Sequence, residues 1–247
     1  MPQAPGRRPG DPAPGRRFGR FTGTDALAVV LYVLLPLAAI LLPLDRLAWL
    51  RANPLAGSYL LNLAVYGVVF IVAAIAARAY FARDVRILGT RPWFTLGILP
   101  LLLIAMLVVT AILVALSGGI QVSQNQESIE GLARGVPWWL TAPLLVVLGP
   151  FVEEFIFRHL MIGKLSLYVN KWFCYALSVV LFASLHLLSS DAFTLQALAP
   201  YVGLGGVLVF AYAWTGNNLA FSVSLHALKN LLSVVLLYTL DLSSLQP

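Results

Sequence analysis

The chain has 247 residues, of which 60% are hydrophobic and only 11% charged, with a mean hydropathy of +0.88 and a net charge of +6. This composition excludes an ordinary soluble domain, and the lone Cys174 excludes both a disulfide framework and a thiolate metal cluster. A helix needs roughly 20 apolar residues to cross the hydrocarbon, where every backbone polar group has to be satisfied within the helix. Seven segments qualify, at about 24–43, 57–79, 93–117, 137–161, 171–190, 195–214 and 218–240. The expectation is an all-α, polytopic membrane bundle of about seven transmembrane helices, multi-pass in the cell membrane.

The chain opens on "MPQAPGRRPGDPAPGRRFGR", rich in Pro, Gly and Arg and without a cleavable signal pattern. Residues 1–22 are expected to be a disordered basic cytoplasmic tail, 23–240 a single transmembrane domain and 241–247 a C-terminal tail, with a moderately polar loop from Ser117 to Val136. With the tail inside, the cytoplasmic side collects Arg7, Arg8, Arg16, Arg17 and Arg20, then Arg78, Arg83, Arg86 and Arg91, then Arg158, Lys164 and Lys171. The other side holds Arg46, Arg51 and Arg134. This is the positive-inside asymmetry. The lipid bilayer accounts for the basic charge, and no nucleic-acid partner is needed.

Polar residues inside the spans narrow the search. A charge at the centre of a span costs about 2.5–3.5 kcal/mol even on the mild insertion scale, so such residues are paired, buried in the bundle and functional. Asp25 is expected to cap or anchor the first helix, and Lys229 to snorkel along its own stem. The remaining set is Glu153, Glu154 and Arg158 on the fourth helix, His186 on the fifth, and His226 with Asn230 on the seventh. No soluble domain is left over, so any site has to lie within the bundle.

Helical spacing sorts these residues. Glu154 and Arg158 are four apart, with the acid first, the favourable orientation for an ion pair. Arg158 lies about 140° around the helix from Glu153 and does not readily neutralise both carboxylates. Glu153 is left as the available one, suited to general-base or general-acid work. Four-residue spacing recurs in "FASLH", which aligns Phe182 with His186, and in "HALKN", which aligns His226 with Asn230. An imidazole and a carboxamide side by side can donate to one oxyanion. Taken singly, His186 also reads as a hydrogen-bonded core histidine, and His226 with Asn230 as interhelical glue.

"EEFIFR", "FASLH" and "HALKN", in that order on three helices with one helix between the last two, resemble the type II CAAX prenyl endopeptidase family, also called CPBP or Abi. The resemblance covers about residues 137–240, the expected catalytic core. It implies an intramembrane endopeptidase acting on a membrane-associated peptide or protein substrate, with no cofactor and no bound metal. Carried over, Glu153 and His186 would activate water, His226 and Asn230 would hold the oxyanion, and Glu154, Arg158 and Phe182 would support them. His159 has no counterpart in the motif and is expected at the membrane interface.

One feature of this reading fits poorly. His186 would lie about 22 Å beyond Lys171, whereas Glu153 would lie only about 12 Å from the cytoplasmic end of its helix. A bend at Gly149–Pro150, or a tilted fifth helix starting nearer Cys174, is expected to close the gap. Three rival readings also stand: a zinc protease using both histidines and a glutamate, a proton-coupled transporter, and a family member kept as an immunity or assembly factor. The sequence lacks H-E-x-x-H and shows no internal repeat, and a zinc site would leave Asn230 idle.

Overall fold

The computed structural model describes residues 18–43, 46–187 and 193–239. The described residues contain helices and no strands. The elements are α1 (Gly23–Leu41), α2 (Pro54–Gly89), α3 (Pro92–Leu116), α4 (Gln124–Gly135), α5 (Trp138–Leu167), α6 (Lys171–Leu185), α7 (Leu195–Trp214) and α8 (Leu219–Thr239), with a single turn at Ala48–Ala52. Five of them, α2, α3, α5, α7 and α8, are long and apolar enough to cross a membrane, and α1 and α6 are apolar but shorter. All seven expected segments are helical.

Boundaries differ from the expectation where charge is answered by packing. α2 runs on to Gly89, and at 36 residues it is about 54 Å long, well beyond the hydrocarbon thickness. α5 continues to Leu167 because two of the charges that mark its expected end are buried: Arg158 pairs with Glu154, and Lys164 pairs with Asp25 at 2.6 Å. Neither is a loop charge, which trims the expected cytoplasmic set by two. Asp25 does cap α1: its carboxylate accepts from the Thr22 amide, and the Thr22 hydroxyl accepts from the Asp25 amide. His159 is a further correction, since it is buried among Phe18, Tyr80 and Phe155 instead of at the interface.

Packing also begins earlier than the expected tail boundary. Phe18 is buried against Tyr80, and the Gly19 amide donates to the Tyr80 hydroxyl. The rest of the expected tail, 1–17, and the C-terminal stretch 241–247 lie outside the described residues.

The largest correction concerns Ser117–Val136. Within it, Ser123 accepts from the Gln126 amide and starts the amphipathic helix α4, whose Leu132 and Ala133 are buried. Polar composition suggested a loop, but tertiary contacts on one apolar face suffice for a helix.

α5 and α7 form the centre of the bundle, with 56% of each span buried, while α3, at 11%, presents its apolar side chains outward. Gly203 permits the close α3–α7 contact, because a Cβ there would sit 2.8 Å from the Thr110 backbone. Exposed tryptophans mark helix ends: Trp93, Trp172 and Trp214 toward one face and Trp138 and Trp139 toward the other, as expected of interfacial anchors.

Candidate active site

The middle of α5 is not a regular α-helix. Wide, i→i+5 turns at Pro143–Leu148 and Phe155–Lys164 flank the α-helical stretch Gly149–Glu154. The Gly149 amide bonds the Leu144 carbonyl, but the amide next in this pattern belongs to Pro150, which has no hydrogen to give to Leu145. Asn230 of α8 supplies it, donating through Nδ2 to the Leu145 carbonyl at 2.8 Å. In the second wide stretch the Phe157 carbonyl accepts from the Ser178 hydroxyl of α6 at 2.8 Å. Irregular backbone is thus tolerated at this depth because neighbouring helices satisfy it.

The depth mismatch disappears once α5 ends at Leu167. Glu153 lies fourteen residues before that end, and His186 lies fifteen residues beyond Lys171, the start of α6. Both therefore sit on the order of 20 Å from the same face. α6 starts at Lys171, so the expected shift of its start toward Cys174 is not what closes the gap.

The two adjacent carboxylates have different surroundings. Glu154 is fully engaged: Oε1 faces His226 Nδ1 at 3.0 Å, and Oε2 accepts from the Ser222 hydroxyl and lies 3.2 Å from Arg158 Nε. Arg158 is itself buried, with its guanidinium 4.7 Å above the Phe182 ring and Nη2 donating to the Gly205 carbonyl at 3.3 Å. Glu153 has a long hydrogen bond from the Tyr66 hydroxyl to Oε1, at 3.4 Å. Its Oε2 faces His226 Nε2 at 3.7 Å and His186 Nε2 at 4.0 Å. Arg158 thus belongs to Glu154, as the spacing indicated, and Glu153 keeps hydrogen-bonding capacity.

The histidine tautomers follow from their partners. His186 Nδ1 lies 2.8 Å from the Phe182 carbonyl, which only accepts, so Nδ1 carries the proton and Nε2 offers a lone pair toward Glu153. The His186 ring is held between Phe182 and Tyr201, each centroid 4.5 Å away. His226 donates to Glu154 through Nδ1, so donating through Nε2 as well requires the doubly protonated ring.

Glu153, His186, His226 and Asn230 line one cavity of about 180 Å³. Its remaining walls come from residues that spacing does not reveal. α2 contributes Asn62 and Tyr66, α1 contributes Tyr32, and α4 closes one side with Asn125, Gln126 and Ile129. Lys229 also lines it, against the expectation that this side chain snorkels away. The rule that intramembrane charges are functional flags Lys229. Nothing in the sequence distinguishes Tyr66 from any other tyrosine of an apolar helix.

Residues 135–232, from the end of α4 into α8, match the model of the Rce1-like type II CAAX prenyl endopeptidase family, and the three motifs lie within that stretch. The chain is 30% identical over 141 residues to the membrane-embedded CAAX protease MroQ of Staphylococcus aureus strain USA300, a stretch covering 56% of this chain and 55% of that one. It is 29% identical over 114 residues to a protein named as membrane peptidase YdiL of Bacillus subtilis strain 168, covering 46% and 43% of the two chains. The chain therefore matches about half the length of these curated relatives. No solved structure matches it significantly.

Proposed function

We propose that the chain is an intramembrane endopeptidase that hydrolyses a peptide bond of a membrane-delivered substrate, of CAAX or leader-peptide type. The observation that carries this reading is the contrast between Glu154, with both oxygens engaged, and Glu153, which faces two imidazoles across the cavity at 3.7 and 4.0 Å. A water between Glu153 and His186 gives its proton to Glu153 as its oxygen attacks the substrate carbonyl carbon. Asn230 has a second Nδ2 hydrogen beyond the one given to Leu145, and with doubly protonated His226 it holds the oxyanion. Collapse of the intermediate breaks the C–N bond, and the proton on Glu153 passes to the leaving amine. Glu154, Arg158 and Phe182 hold the histidines and helix α5 in register.

The accompanying topology is seven spans in the cell membrane, with the N-terminus cytoplasmic and residues 23–240 acting as one unit. The direct test of peptidase function compares peptide termini in membranes holding the wild-type chain and its Glu153→Gln variant. New termini that need Glu153 support hydrolysis. Identical termini in both would leave the immunity or assembly reading.

A further inference from the structure

His186 is the residue on which α6 ends, so no further turn of that helix follows to hold it. Phe182, one turn earlier, lies against its ring, and Tyr201 of α7 stacks on it with centroids 4.5 Å apart and planes 29° from parallel. The Tyr201 hydroxyl reaches on to α4: it lies 2.6 Å from the Ser123 hydroxyl and accepts from Asn125 Nδ2 at 3.5 Å. Ser123 is the N-cap of α4, through the Gln126 amide. A continuous chain of contacts therefore runs from the His186 ring, through Tyr201, to the start of the helix that closes one side of the cavity.

The two ends of α4 are held differently. Its trailing end is anchored by apolar packing: Leu132, Ala133 and Val136 are buried, and Gly135 sits so close to Leu55 that a Cβ there would have no room. The leading end is held to α7 through polar groups, with Ser123 and Asn125 on Tyr201 and the Gln121 side chain accepting from the Thr194 hydroxyl. Gly118 and Gly119 lead into it at φ +99° and +112°, a conformation that glycine adopts freely. Hydrogen bonds at a cavity wall can be exchanged for bonds to water or to a substrate amide at little net cost, whereas buried apolar contacts have no such replacement.

We propose that Tyr201 is a positioning residue that ties the His186 ring to α4, so that His186 is held in register with Glu153 only while the leading end of α4 is seated over the cavity. When that end lifts, Asn125, Gln126 and Ile129 leave the cavity wall, and Tyr201 loses its hydroxyl partners. A substrate segment then enters on the α4 side, and the reseating of α4 restores the orientation of His186. The inference rests on the proposed function in giving His186 a part in hydrolysis, but the tie itself does not depend on turnover.

The test reads His186 directly. The chain has three histidines, so isotope-labelled histidine in the full chain in nanodiscs gives three imidazole signals by NMR, and the one lost in His186→Gln belongs to His186. His159, enclosed by Phe18, Tyr80 and Phe155, serves as the reference. Tyr201→Phe keeps the ring and removes the tie, and Ser123→Ala removes the tie from its other end along with the α4 cap. The expected result is that each variant shifts the His186 signal and leaves that of His159 in place, and that the double variant shifts it no further than the larger single one. In membranes where Glu153-dependent termini form, each single variant slows their appearance by about threefold to tenfold. Tyr201→Leu, which also removes the stacked ring, slows it by about tenfold to a hundredfold. A His186 signal unmoved in Tyr201→Phe overturns the proposal by itself, even if Ser123→Ala fails to fold. So does a folded Ser123→Ala that leaves the signal in place, or a double variant whose shift is the sum of the two. The two readings fail separately: a chain that forms no new termini but whose His186 signal answers to Ser123 would remove the peptidase reading and leave the tie, and Glu153-dependent termini with a His186 signal indifferent to Ser123 would do the reverse.

Discussion

Asn230 donates to the carbonyl of Leu145, the acceptor that Pro150 leaves unfilled within α5. One side chain thereby holds the wide turn before Glu153 in place and lines the cavity into which Glu153 opens. Asn230→Ala is therefore expected to do two things. Leaving the carbonyl unsatisfied should lower stability by about 1–3 kcal/mol. Losing an oxyanion donor should cut kcat per folded molecule by about 10²–10³ with little change in KM. Unfolding in detergent and steady-state kinetics separate the two, and an intact kcat in the folded fraction would reduce Asn230 to a structural role.

Glu154 is the carboxylate with both oxygens engaged, so its loss should register in stability. Glu154→Gln leaves Arg158 as a buried charge without its anion, at a cost of about 3–5 kcal/mol. Glu153→Gln, which leaves Arg158 with its Glu154 partner and keeps an acceptor for Tyr66, should cost less than Glu154→Gln, about 1 kcal/mol. Equal unfolding curves for the two variants would contradict this division.

Tyr66 reaches the cavity from α2, outside the family-matched residues, and its hydroxyl donates to the Glu153 carboxylate at 3.4 Å. Tyr66→Phe removes one long hydrogen bond and nothing else in volume. A fall in kcat of roughly threefold to tenfold, with KM unchanged, is expected from the loss of one such bond. A change confined to KM would instead make Tyr66 a substrate contact.

Topology can be tested by labelling. Single cysteines at Gln3 and Gln246, in a Cys174→Ser background, should react with an impermeant thiol reagent in intact cells only at the second position. Reaction at both positions, or only at the first, rejects seven spans with a cytoplasmic N-terminus.

The seven helices were legible because each is a continuous apolar run, and the split between Glu153 and Glu154 was legible because helical geometry alone separates them around the axis. Other features depended on partners far away in sequence. Lys164 reads as a loop charge until Asp25, 139 residues earlier, is found against it. His159 reads as interfacial until Phe18 and Tyr80 enclose it. α4 was hidden by its polar composition, since only its packed face makes it a helix. Lys229 was visible as an intramembrane charge, but its direction depended on where α8 meets the cavity.

The central claim is that the Glu153 carboxylate, and not a metal ion, activates the attacking water. The most direct measurement is the single-turnover cleavage rate of wild-type protein after exhaustive chelation, with its metal content assayed, run beside Glu153→Gln under the same conditions. The expected result is a metal-free wild-type chain that keeps its rate and a folded Glu153→Gln slower by at least about 10²–10⁴. Loss of wild-type activity to the chelator and its return with stoichiometric zinc, or a Glu153→Gln variant that turns over normally, would contradict the account.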